Sequence, residues 1–325
     1  MASDSVRKVS IVMCTYNGAS FLREQLETII NQTYPLHEII IQDDRSEDTT
    51  RSIIMEYMKK YPIIKFYTHK EERGINSNFF SALKKASGDY IAISDQDDLW
   101  EPEKIEHQMT MMEKAKEALL CYHFSKHFSE DGVPVEFNKR MPNYTLMRMI
   151  YFNELPGHTM LLRKELLKNI VDEHCFLYDA LLAIAAGVQD RIVFLPEVLV
   201  HQRRYNHAFS YRPPLSTDRN LKNMILYLRE AIQNMTHNKR SMKQHFNTMF
   251  SLLSQYESWD HKAPCFSDAL RLCDWYRSYD GLSILKASLT CAKYRKHIFY
   301  TGQDNNLLLF FRALLHPLLM FRYYK

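Results

Sequence analysis

Glycine is scarce in this chain, with only 8 glycines among 325 residues. Neither a GxGxxG nor a Walker A sequence is present, although such glycine-rich loops are common phosphate-binding elements. The chain also lacks a run of about 18 uncharged apolar residues, the length that a membrane-spanning helix needs. We therefore expect no bilayer-spanning segment, and we expect groups other than a glycine-rich loop to hold any phosphate.

Cysteine pairs and a strong net charge are also missing. The six cysteines include no CxxC pair, and their spacing matches no zinc site. The polar start of the chain, Met1–Lys8, shows no signal peptide, so we expect reduced and mostly buried thiols in a cytoplasmic protein. The net charge of +4 gives no indication of nucleic acid binding.

Short apolar runs alternate with helical patterns through the first part of the chain. Buried strands are predicted at Val9–Cys14, His37–Gln42, Ile63–Thr68 and Tyr90–Ser94. Helices are predicted at Phe21–Asn31, Thr49–Tyr61, Asn76–Ala86 and Pro102–Lys114, with Ser46 and Asp48 as caps of the second. This alternation indicates an α/β fold with a doubly wound, mostly parallel sheet and helices on both faces.

The second half of the chain continues this pattern and then changes. Further strands are expected at Leu119–His123, Arg191–Leu195 and Val198–His201, and a helix is expected at Tyr178–Ala186. After Tyr211-Arg212-Pro213-Pro214 the remaining residues are predicted to form helices. We therefore predict one domain at 1–211 and a mainly helical C-terminal region at 212–325.

Polar clusters follow three of the predicted strands. They are Thr15-Tyr16-Asn17, Asp43-Asp44 and Asp95-Gln96-Asp97-Asp98. In such sheets ligands bind beyond the carboxyl ends of the strands. The three clusters are therefore predicted to meet at one edge and to form a single ligand site.

The last of these clusters holds three aspartates within four residues. Carboxylates this close repel each other unless a cation offsets their charge, and Mg²⁺ or Mn²⁺ would do so while binding substrate phosphates. A helix N-cap explains one aspartate well, but not three beside a buried strand. We therefore favour a metal site over a helix cap.

Four segments of this sequence resemble glycosyltransferase family 2. They are the stretches at 9–18, 41–49, 86–92 and 94–100, which read VSIVMCTYNG, IQDDRSEDT, ASGDYIA and SDQDDLW. They occur in the family's order and spacing, and the last is similar to the rhamnosyltransferase-like branch. The resemblance persists to about Ser210. It implies a GT-A fold, with a nucleotide-sugar half at about 1–115 and an acceptor half at about 116–211.

The resemblance implies an inverting transfer of a sugar from a nucleotide-diphosphate sugar to an acceptor hydroxyl, in surface polysaccharide or glycan synthesis. Thr15 and Tyr16 would line the base pocket, and Asp43 would face the base or ribose. Asp95 would contact ribose or bridge to the metal, and Asp97 would be the main metal ligand. Further donor contacts are expected from Asn17, Asp44, Asn78, Gln96 and Gly157, with Arg73 and Asn76 as weaker candidates.

A transfer of this kind needs a carboxylate base on a different segment from the metal site. Asp179 precedes an apolar helix, and a helix N-terminus favours the carboxylate form, although on local grounds a plain helix cap explains the residue better. The family's base occupies this position, which the resemblance therefore assigns to Asp179. Many relatives carry Glu or His before the aspartate, where this chain has Tyr178. His158 could touch the sugar or serve only in packing.

The segment His201-Gln202-Arg203-Arg204-Tyr205-Asn206-His207 resembles the family's basic segment over the diphosphate. Arg203 and Arg204 are expected to clamp the diphosphate, although a solvated basic turn is an equal alternative. Relatives often complete the metal shell with a histidine where this chain has Tyr205. We expect His207, ahead of His201, to take that place.

Residues 212–325 carry no motif with a known chemistry. The apolar run Leu307–Phe321 has basic residues around it, which suits either contact with an anionic membrane or a packed helix or dimer interface. The expected acceptor is a saccharide or a lipid-linked saccharide, and the expected location is the cytoplasm, at the inner face of the membrane. Two other functions stay open: a nucleotidyltransferase, and a non-catalytic sugar-nucleotide-binding or assembly protein.

Overall fold

A computed structural model describes residues 7–129, 143–170, 176–204, 221–299 and 306–320 of the chain. These residues fall into two compact units. The first takes its residues from Met1–Arg140, Leu155–Ala186 and Arg191–Tyr211. The second takes its residues from Met141–Glu154, Gly187–Asp190 and Arg212–Lys325.

The first unit contains a single sheet, which has eight strands in the described residues. The strands are β1 (Val9–Thr15), β2 (Glu38–Asp43), β3 (Ile64–Thr68), β4 (Tyr90–Ser94), β5 (Leu99–Trp100), β6 (Leu120–Ser129), β7 (Leu161–Arg163) and β8 (Ile192–Arg204). Their order is β3-β2-β1-β4-β7-β6-β8-β5. The neighbours β1–β2, β1–β4, β2–β3 and β6–β8 are parallel, and the other three pairs are antiparallel. The predicted α/β fold with a mostly parallel sheet is confirmed.

Helices connect these strands and make up most of the second unit. They are α1 (Leu22–Ile30), α2 (Thr50–Lys60), α3 (Ile75–Leu83), α4 (Lys104–Lys114), α5 (Leu146–Met149), α6 (Tyr178–Val188), α7 (Leu221–Ser254), α8 (Phe266–Ser278), α9 (Gly281–Lys293), α10 (Arg295–Ile298), α11 (Asn306–Leu314) and α12 (His316–Leu319). Short 3₁₀ turns span Gly157–Thr159 and Lys164–Asn169. None of the helices in the described residues is long and apolar enough to cross a membrane.

The central strands are buried on both faces, as their unbroken apolar sequences predict. Every residue of β2 and β4 is buried, and so is every residue of β1 except the partly exposed Cys14. Helices cover both sides of a sheet built in this way, which removes the need for polar alternation along a strand. The rigid core fixes the positions of the strand ends, where the polar clusters begin.

Strand β8 differs from the prediction of two strands at Arg191–Leu195 and Val198–His201. It runs without a break from Ile192 to Arg204. Its pairing with β6 continues past Pro196 because the register shifts between His123 and Phe124. This irregularity accommodates Pro196, which cannot donate to a regular ladder and is tolerated at bulges. One continuous strand therefore carries His201 and Arg203 back toward the aspartate cluster.

The start of α2 also differs from the prediction in its capping. The N-cap residue is Thr49, whose side chain makes no capping hydrogen bond, and Asp48 before it accepts from the Thr50 amide at 2.9 Å. Ser46 does not cap the helix, because its hydroxyl donates to the Asp43 carboxylate. Ser46 thus belongs to the polar cluster at the end of β2.

In the second unit, long helices pack around an aromatic core. The rings of Phe246 on α7 and Tyr276 on α8 stack with their centroids 4.3 Å apart. The Tyr151 hydroxyl lies 3.3 Å from the Tyr276 hydroxyl, and the His316 ring stacks on Tyr151 at 4.6 Å. The predicted helical character of this region is seen in all of its described elements.

Candidate active site

The polar clusters at the ends of β1, β2 and β4 lie side by side. In the parallel register, Thr15 on β1 is opposite Asp43 on β2, and Met13 on β1 is opposite Ser94 on β4. Asp95 directly follows β4, so it lies at the same edge of the sheet as Thr15 at the end of β1. The convergence that the strand pattern predicted is present.

Asp43 is fixed by hydrogen bonds from the neighbouring loops. Its Oδ1 accepts from the Thr15 hydroxyl at 2.8 Å, and its Oδ2 accepts from the Ser46 amide at 2.8 Å. The Ser46 hydroxyl donates to the same carboxylate. Asp43 and Thr15 are both buried. The carboxylate therefore stands in one orientation at the end of β2, as a preformed acceptor should.

Asp44 begins a chain of hydrogen bonds that ends at α3. Its Oδ1 lies 2.9 Å from Nδ1 of the buried His69, and Nε2 of His69 lies 3.0 Å from the Ser77 hydroxyl. Its Oδ2 accepts from the Gly74 amide at 3.0 Å, directly before α3 begins. Asp44 thus connects the ends of β2 and β3 with the start of α3. Its carboxylate is occupied by protein donors and organises the loop from 70 to 74.

Tyr16 is an exposed member of the site, with 48% of its surface accessible. Its backbone amide donates to Gln96 Oε1 at 2.9 Å, and Gln96 Nε2 donates back to the Tyr16 carbonyl at 3.0 Å. Gly18 makes this pairing possible, because a β-carbon at that position would collide with the Gln96 amide. The guanidinium of Arg73 lies 5.7 Å from the Tyr16 ring centroid, so both form part of an open aromatic and cationic surface.

Asn17 and Asn78 are placed differently from Tyr16. Asn17 has a positive φ of 47°, and its Oδ1 accepts from the Glu47 amide at 2.9 Å, so its side chain joins two loops. Asn78 is buried within α3 and exchanges hydrogen bonds with Gln42 on β2. The structure therefore places the Asn78 side chain in the interior of the protein.

Asp95, Asp98 and His158 form a group that could hold a metal ion, with one ligand atom from each lying within 4.8 Å of the others. His158 Nδ1 is 3.2 Å from Asp95 Oδ2 and 3.6 Å from Asp98 Oδ2. The side chains of His158 and Asp98 are almost fully buried, whereas Asp95 is about one-third exposed at 32%. The group is therefore open on the Asp95 side.

Burial and charge act together on this group. Burial raises the pKa of Asp98, and the nearby Asp95 and Asp97 carboxylates raise it further, although His158 opposes them. Burial opposes protonation of His158, but the Asp98 and Asp95 carboxylates outweigh it and raise the pKa of the imidazole. Without a cation the site thus attracts protons, which is the expected response of crowded buried carboxylates.

Asp97 is partly exposed and lies outside the three-residue group. Its carbonyl accepts from Arg203 Nε at 3.2 Å, while the Arg203 amide donates to Asp98 Oδ1 at 3.3 Å. The Arg203 guanidinium also pairs with Glu24 at 2.6 Å and lies between the rings of Phe21 and Phe128. Strand β8 therefore holds the aspartate loop in place through Arg203.

The other residues of the basic segment have partners of their own. Arg204 Nη2 lies 2.9 Å from His127 Nε2, and burial followed by the Arg204 charge lowers the pKa of His127 to about 4. His201 Nε2 lies 2.5 Å from the Glu101 carboxylate. Tyr205 stands where relatives carry a histidine ligand, and His207 is the expected substitute for it. Both lie outside the described residues.

Asp179 lies in the first turn of α6. Its Oδ1 accepts from the Ala180 amide at 2.7 Å. Burial, with a smaller effect from the Asp95 carboxylate, raises its pKa to about 6 against the opposing effects of the backbone amides and the His158 charge. The expected helix-terminus effect is therefore outweighed by burial. A carboxylate with a pKa near neutrality is well suited to accept a proton.

Tyr178 fits against Gly157, which explains two features of the sequence at once. A β-carbon at Gly157 would collide with the Tyr178 hydroxyl, so the small residue gives room to the large one. The Tyr178 ring stacks on Phe79 of α3 at 3.9 Å between centroids. Tyr178 is thus a packing residue that fixes the start of α6 beside Asp179.

Asn76 has a positioning role that the sequence did not reveal. Its Nδ2 donates to the Phe176 carbonyl at 2.6 Å, and its Oδ1 accepts from the Tyr178 amide at 2.9 Å. These two bonds connect α3 with a segment a hundred residues later. The local sequence does not distinguish Asn76 from the polar Ser77 and Asn78 beside it, so it could not have indicated this partner.

The likeness to known proteins agrees with this geometry. Residues 10–171 match the family described as Glycosyl transferase family 2. Residues 10–171 are a family-2 glycosyltransferase domain. The family prediction is confirmed, and the rhamnosyltransferase-like branch stays a prediction.

The sequence matches to relatives of this glycosyltransferase domain cover only part of each relative's chain. An uncharacterised protein of Mycobacterium tuberculosis is 28% identical over 210 residues, which are 62% of this chain and 60% of that protein. TuaG of Bacillus subtilis, provisionally named a teichuronic acid biosynthesis glycosyltransferase, is 31% identical over 128 residues, or 39% and 50% of the two chains. The chain therefore matches well under two-thirds of these relatives' lengths.

Solved structures share the GT-A fold. TarS residues 1–349 of S. aureus in complex with UDP-GlcNAc has a TM-score of 0.58 at 18% identity, covering 97% of this chain and 89% of that one. The mannosyltransferase PcManGT of Pyrobaculum calidifontis, in complex with GDP-Man and Mn²⁺, has a TM-score of 0.56 at 17% identity, covering 98% and 87%. At this identity the likeness establishes the fold alone.

Proposed function

We propose that this protein is a metal-dependent, inverting glycosyltransferase that moves a hexosyl group from a nucleotide-diphosphate sugar to an acceptor hydroxyl. The observation that carries the proposal is the meeting of three features at one sheet edge. These are the fixed carboxylate of Asp43, the Asp95, Asp98 and His158 group, and the partly buried carboxylate of Asp179. The family and the fold support the same reaction class.

The residues present fit a divalent cation. Asp98 Oδ2 is buried without a hydrogen-bond partner in the described part of the chain, and it lies with Asp95 Oδ2 beside His158 Nδ1, so an ion there would satisfy it. We propose that Asp95, Asp98 and His158 hold Mg²⁺ or Mn²⁺, with Asp97 and His207 as the further ligands predicted from the family pattern. The ion would offset charge on the leaving nucleotide diphosphate.

Donor binding is proposed to use the surface around Tyr16. The exposed Tyr16 ring and the Arg73 guanidinium can stack on a base, and Asp43 can accept from base or ribose donors. The remaining predicted donor contacts are Thr15, Asn17, Asp44, Asn78, Gln96, Gly157, Arg203 and Arg204. All of these except Gly157 have side-chain partners within the protein. We propose that the buried Asp44 and Asn78 and the ion-paired Arg203 act by positioning the loops.

Asp179 is proposed as the base. Its carboxylate takes the proton from the acceptor hydroxyl as that oxygen forms a bond to C1 of the sugar and the bond from C1 to the diphosphate oxygen breaks. Attack from the face opposite the leaving group inverts the configuration at C1. The pKa of about 6 leaves Asp179 ionised at neutral pH and still basic enough to accept the proton.

The acceptor and the cellular role are proposed at the level of chemical class. TuaG and TarS are similar to this chain, and the name of TuaG refers to a teichuronic acid, which supports a role in polysaccharide synthesis. We propose a saccharide or lipid-linked saccharide as acceptor, in the cytoplasm at the inner face of the membrane. A homodimer and the rhamnosyltransferase-like branch are proposals that rest on sequence alone.

Two alternatives make different predictions for a single experiment. A nucleotidyltransferase would release inorganic diphosphate from a nucleoside triphosphate, whereas a glycosyltransferase releases a nucleoside diphosphate from a nucleotide sugar. A non-catalytic binding protein would bind the nucleotide sugar and release neither. Mass spectrometry of nucleotide products, after incubation with a panel of nucleotide sugars and triphosphates and Mn²⁺, distinguishes all three.

The variant Asp179→Asn tests the role of the base. We expect it to retain nucleotide-sugar binding and to lose sugar transfer by at least about 100-fold, the usual contribution of general acid–base catalysis. The matched control is Asp190→Asn, because Asp190 is exposed and its positive φ of 56° suits asparagine. Full transfer activity in Asp179→Asn would overturn the assignment.

A further inference from the structure

The exposed large apolar side chains of this protein are concentrated on two helices. Of the 11 in the described residues, six lie on α9 and α11. They are Leu282, Leu285, Leu289, Leu307, Phe310 and Phe311, with exposures from 38% to 62%. Scattered exposed leucines are normal on a protein surface, but a concentration of this kind marks an interaction surface.

On α9 the exposed leucines form one face. Leu282, Leu285 and Leu289 follow at intervals of three and four residues, which places them along a single stripe of a helix. The opposite face is occupied by the buried Ala287 and Cys291. Side chains of α9 are thus divided between a packed side and an accessible apolar side.

Helix α11 repeats this division and packs against α9 in the same unit. Its Leu309 and Ala313 are buried, whereas Leu307, Phe310 and Phe311 are exposed. We name the two exposed apolar stripes, on α9 and α11, the α9–α11 face. Both helices pack through their buried sides. In the described part of the chain, the α9–α11 face therefore stays exposed.

The charged side chains on α9 and α11 themselves are all basic, although the acidic Asp280 stands at the N-cap of α9. Residues 281–325 contain seven lysines and arginines but one acidic residue, Asp304. On α9 itself Lys286 and Lys293 follow the leucine stripe, and neither α9 nor α11 has an acidic side chain. Lys293 also pairs with Asp268 at 2.6 Å. An apolar stripe with basic side chains along it complements an anionic lipid surface, where lysine stems lie on the lipid and the ammonium groups meet phosphates.

The length of the helices determines the mode of contact. Helix α9 has 13 residues, or about 20 Å at the usual rise, which is too short for the hydrocarbon core of a bilayer. Its other face is buried in protein, so only a stripe can enter a membrane. We propose that the α9–α11 face is a peripheral docking surface for an anionic lipid membrane, with α9 lying along the interface.

A vesicle flotation experiment tests this proposal with the full-length protein. The probe is a set of vesicles of phosphatidylcholine with phosphatidylglycerol, compared with vesicles of phosphatidylcholine alone. We expect the protein to float with the anionic vesicles, and increased salt to weaken this binding because it screens the charges. Absence of flotation with anionic vesicles at low salt would overturn the proposal.

The leading variant replaces the leucine stripe by polar residues, as Leu282→Gln, Leu285→Gln and Leu289→Gln together. We expect at least about a tenfold loss of vesicle binding, since three partly inserted leucines are removed. The matched control, Met55→Gln with Ile63→Gln, replaces exposed apolar residues of the first unit and should bind as the unmodified protein does. Equal flotation of the triple variant would overturn the proposal.

Two further measurements keep the result specific. If the triple variant does not fold, Lys286→Gln with Lys296→Gln tests the charge component, for which we expect a several-fold loss of binding to anionic vesicles. Light scattering in the absence of lipid examines a second copy of the chain as the partner. A dimer that the triple variant loses, without any change in flotation, would assign the face to self-association and overturn the membrane proposal.

Discussion

At the scale of single residues, burial has the largest effect on the site. Burial raises the pKa of both Asp98 and Asp179, and each carboxyl then depends on its neighbours for its charge state. Asp98 has His158 within 3.6 Å, whereas Asp179 has backbone amides. The two groups can therefore take different roles, one at the cation and one at the acceptor hydroxyl.

The first prediction concerns the pH dependence of transfer. Asp179 acts as a base only when it is ionised, and its pKa is about 6, with Asp95 and His158 as the charged groups that influence it. Activity should therefore rise as pH increases through about 6 and reach a plateau above it. Initial rates measured at constant ionic strength test this, and a profile with no change between pH 5 and pH 7 would contradict it.

The second prediction is that Asp179→Asn stabilises the folded protein at neutral pH. The pKa of Asp179 in the folded protein is about 6, above the ordinary value of 3.8. Ionisation of Asp179 therefore lowers the free energy of unfolding as pH rises from about 3.8, and the full loss is present above pH 6. Removing the charge should raise the free energy of unfolding by up to about 3 kcal/mol. Urea denaturation at pH 7 and at pH 4 measures the effect, which should nearly vanish at pH 4.

The third prediction concerns the contact of Gly157 with Tyr178. Gly157→Ala should lower the free energy of unfolding by about 1–3 kcal/mol, since its new methyl group collides with the Tyr178 hydroxyl. Adding Tyr178→Phe removes that oxygen and should restore part of the loss. A Gly157→Ala variant as stable as the original protein would show that α6 moves aside without cost.

At the scale of secondary structure elements, the site depends on connections between segments distant in sequence. Asn76 of α3 holds the segment before α6, and Arg203 of β8 holds the aspartate loop after β4. Both connections use a side chain on one element and the backbone of the other. The catalytic carboxylate and the metal group are therefore positioned by elements that do not belong to their own motifs.

The fourth prediction follows from the Asn76 connection. Asn76→Ala removes both of its hydrogen bonds and leaves the Tyr178 amide and Phe176 carbonyl without this partner. Because the change affects the position of Asp179, transfer should decrease by about tenfold or more while nucleotide-sugar affinity stays within about twofold. The matched control is Ser81→Ala on the same helix, which should leave the rate unchanged. Equal losses of affinity and rate in Asn76→Ala would contradict a role in positioning the base.

The sequence indicated the elements of the nucleotide half well, because uninterrupted apolar runs and their polar ends follow directly from a buried parallel sheet. It did not indicate that β8 is one strand, since Pro196 hides a continuous strand with a bulge. It also gave no sign that His158 lies beside Asp95 and Asp98. That proximity depends on tertiary packing between segments sixty residues apart, which a local pattern cannot specify.

At the scale of the whole molecule, the two compact units have different chemistries. The first unit holds the charged site at the sheet edge, with Asp43, Asp95, Asp98 and Asp179. The second unit holds an aromatic core and the α9–α11 face, where basic and apolar residues predominate. The first chemistry is suited to a nucleotide sugar and a cation, and the second is suited to a lipid surface.

Nucleotide-sugar binding should depend on a cation held by Asp95, Asp98 and His158. Isothermal titration with a panel of UDP-, GDP- and dTDP-sugars, with Mn²⁺ and with EDTA, tests it most directly. At least one donor should bind in Mn²⁺, with affinity lowered by about tenfold or more in EDTA and in Asp98→Asn, while Asp179→Asn binds normally. Equal affinity with Mn²⁺ and EDTA, or unchanged affinity in Asp98→Asn, would show that donor binding does not depend on a cation at this group.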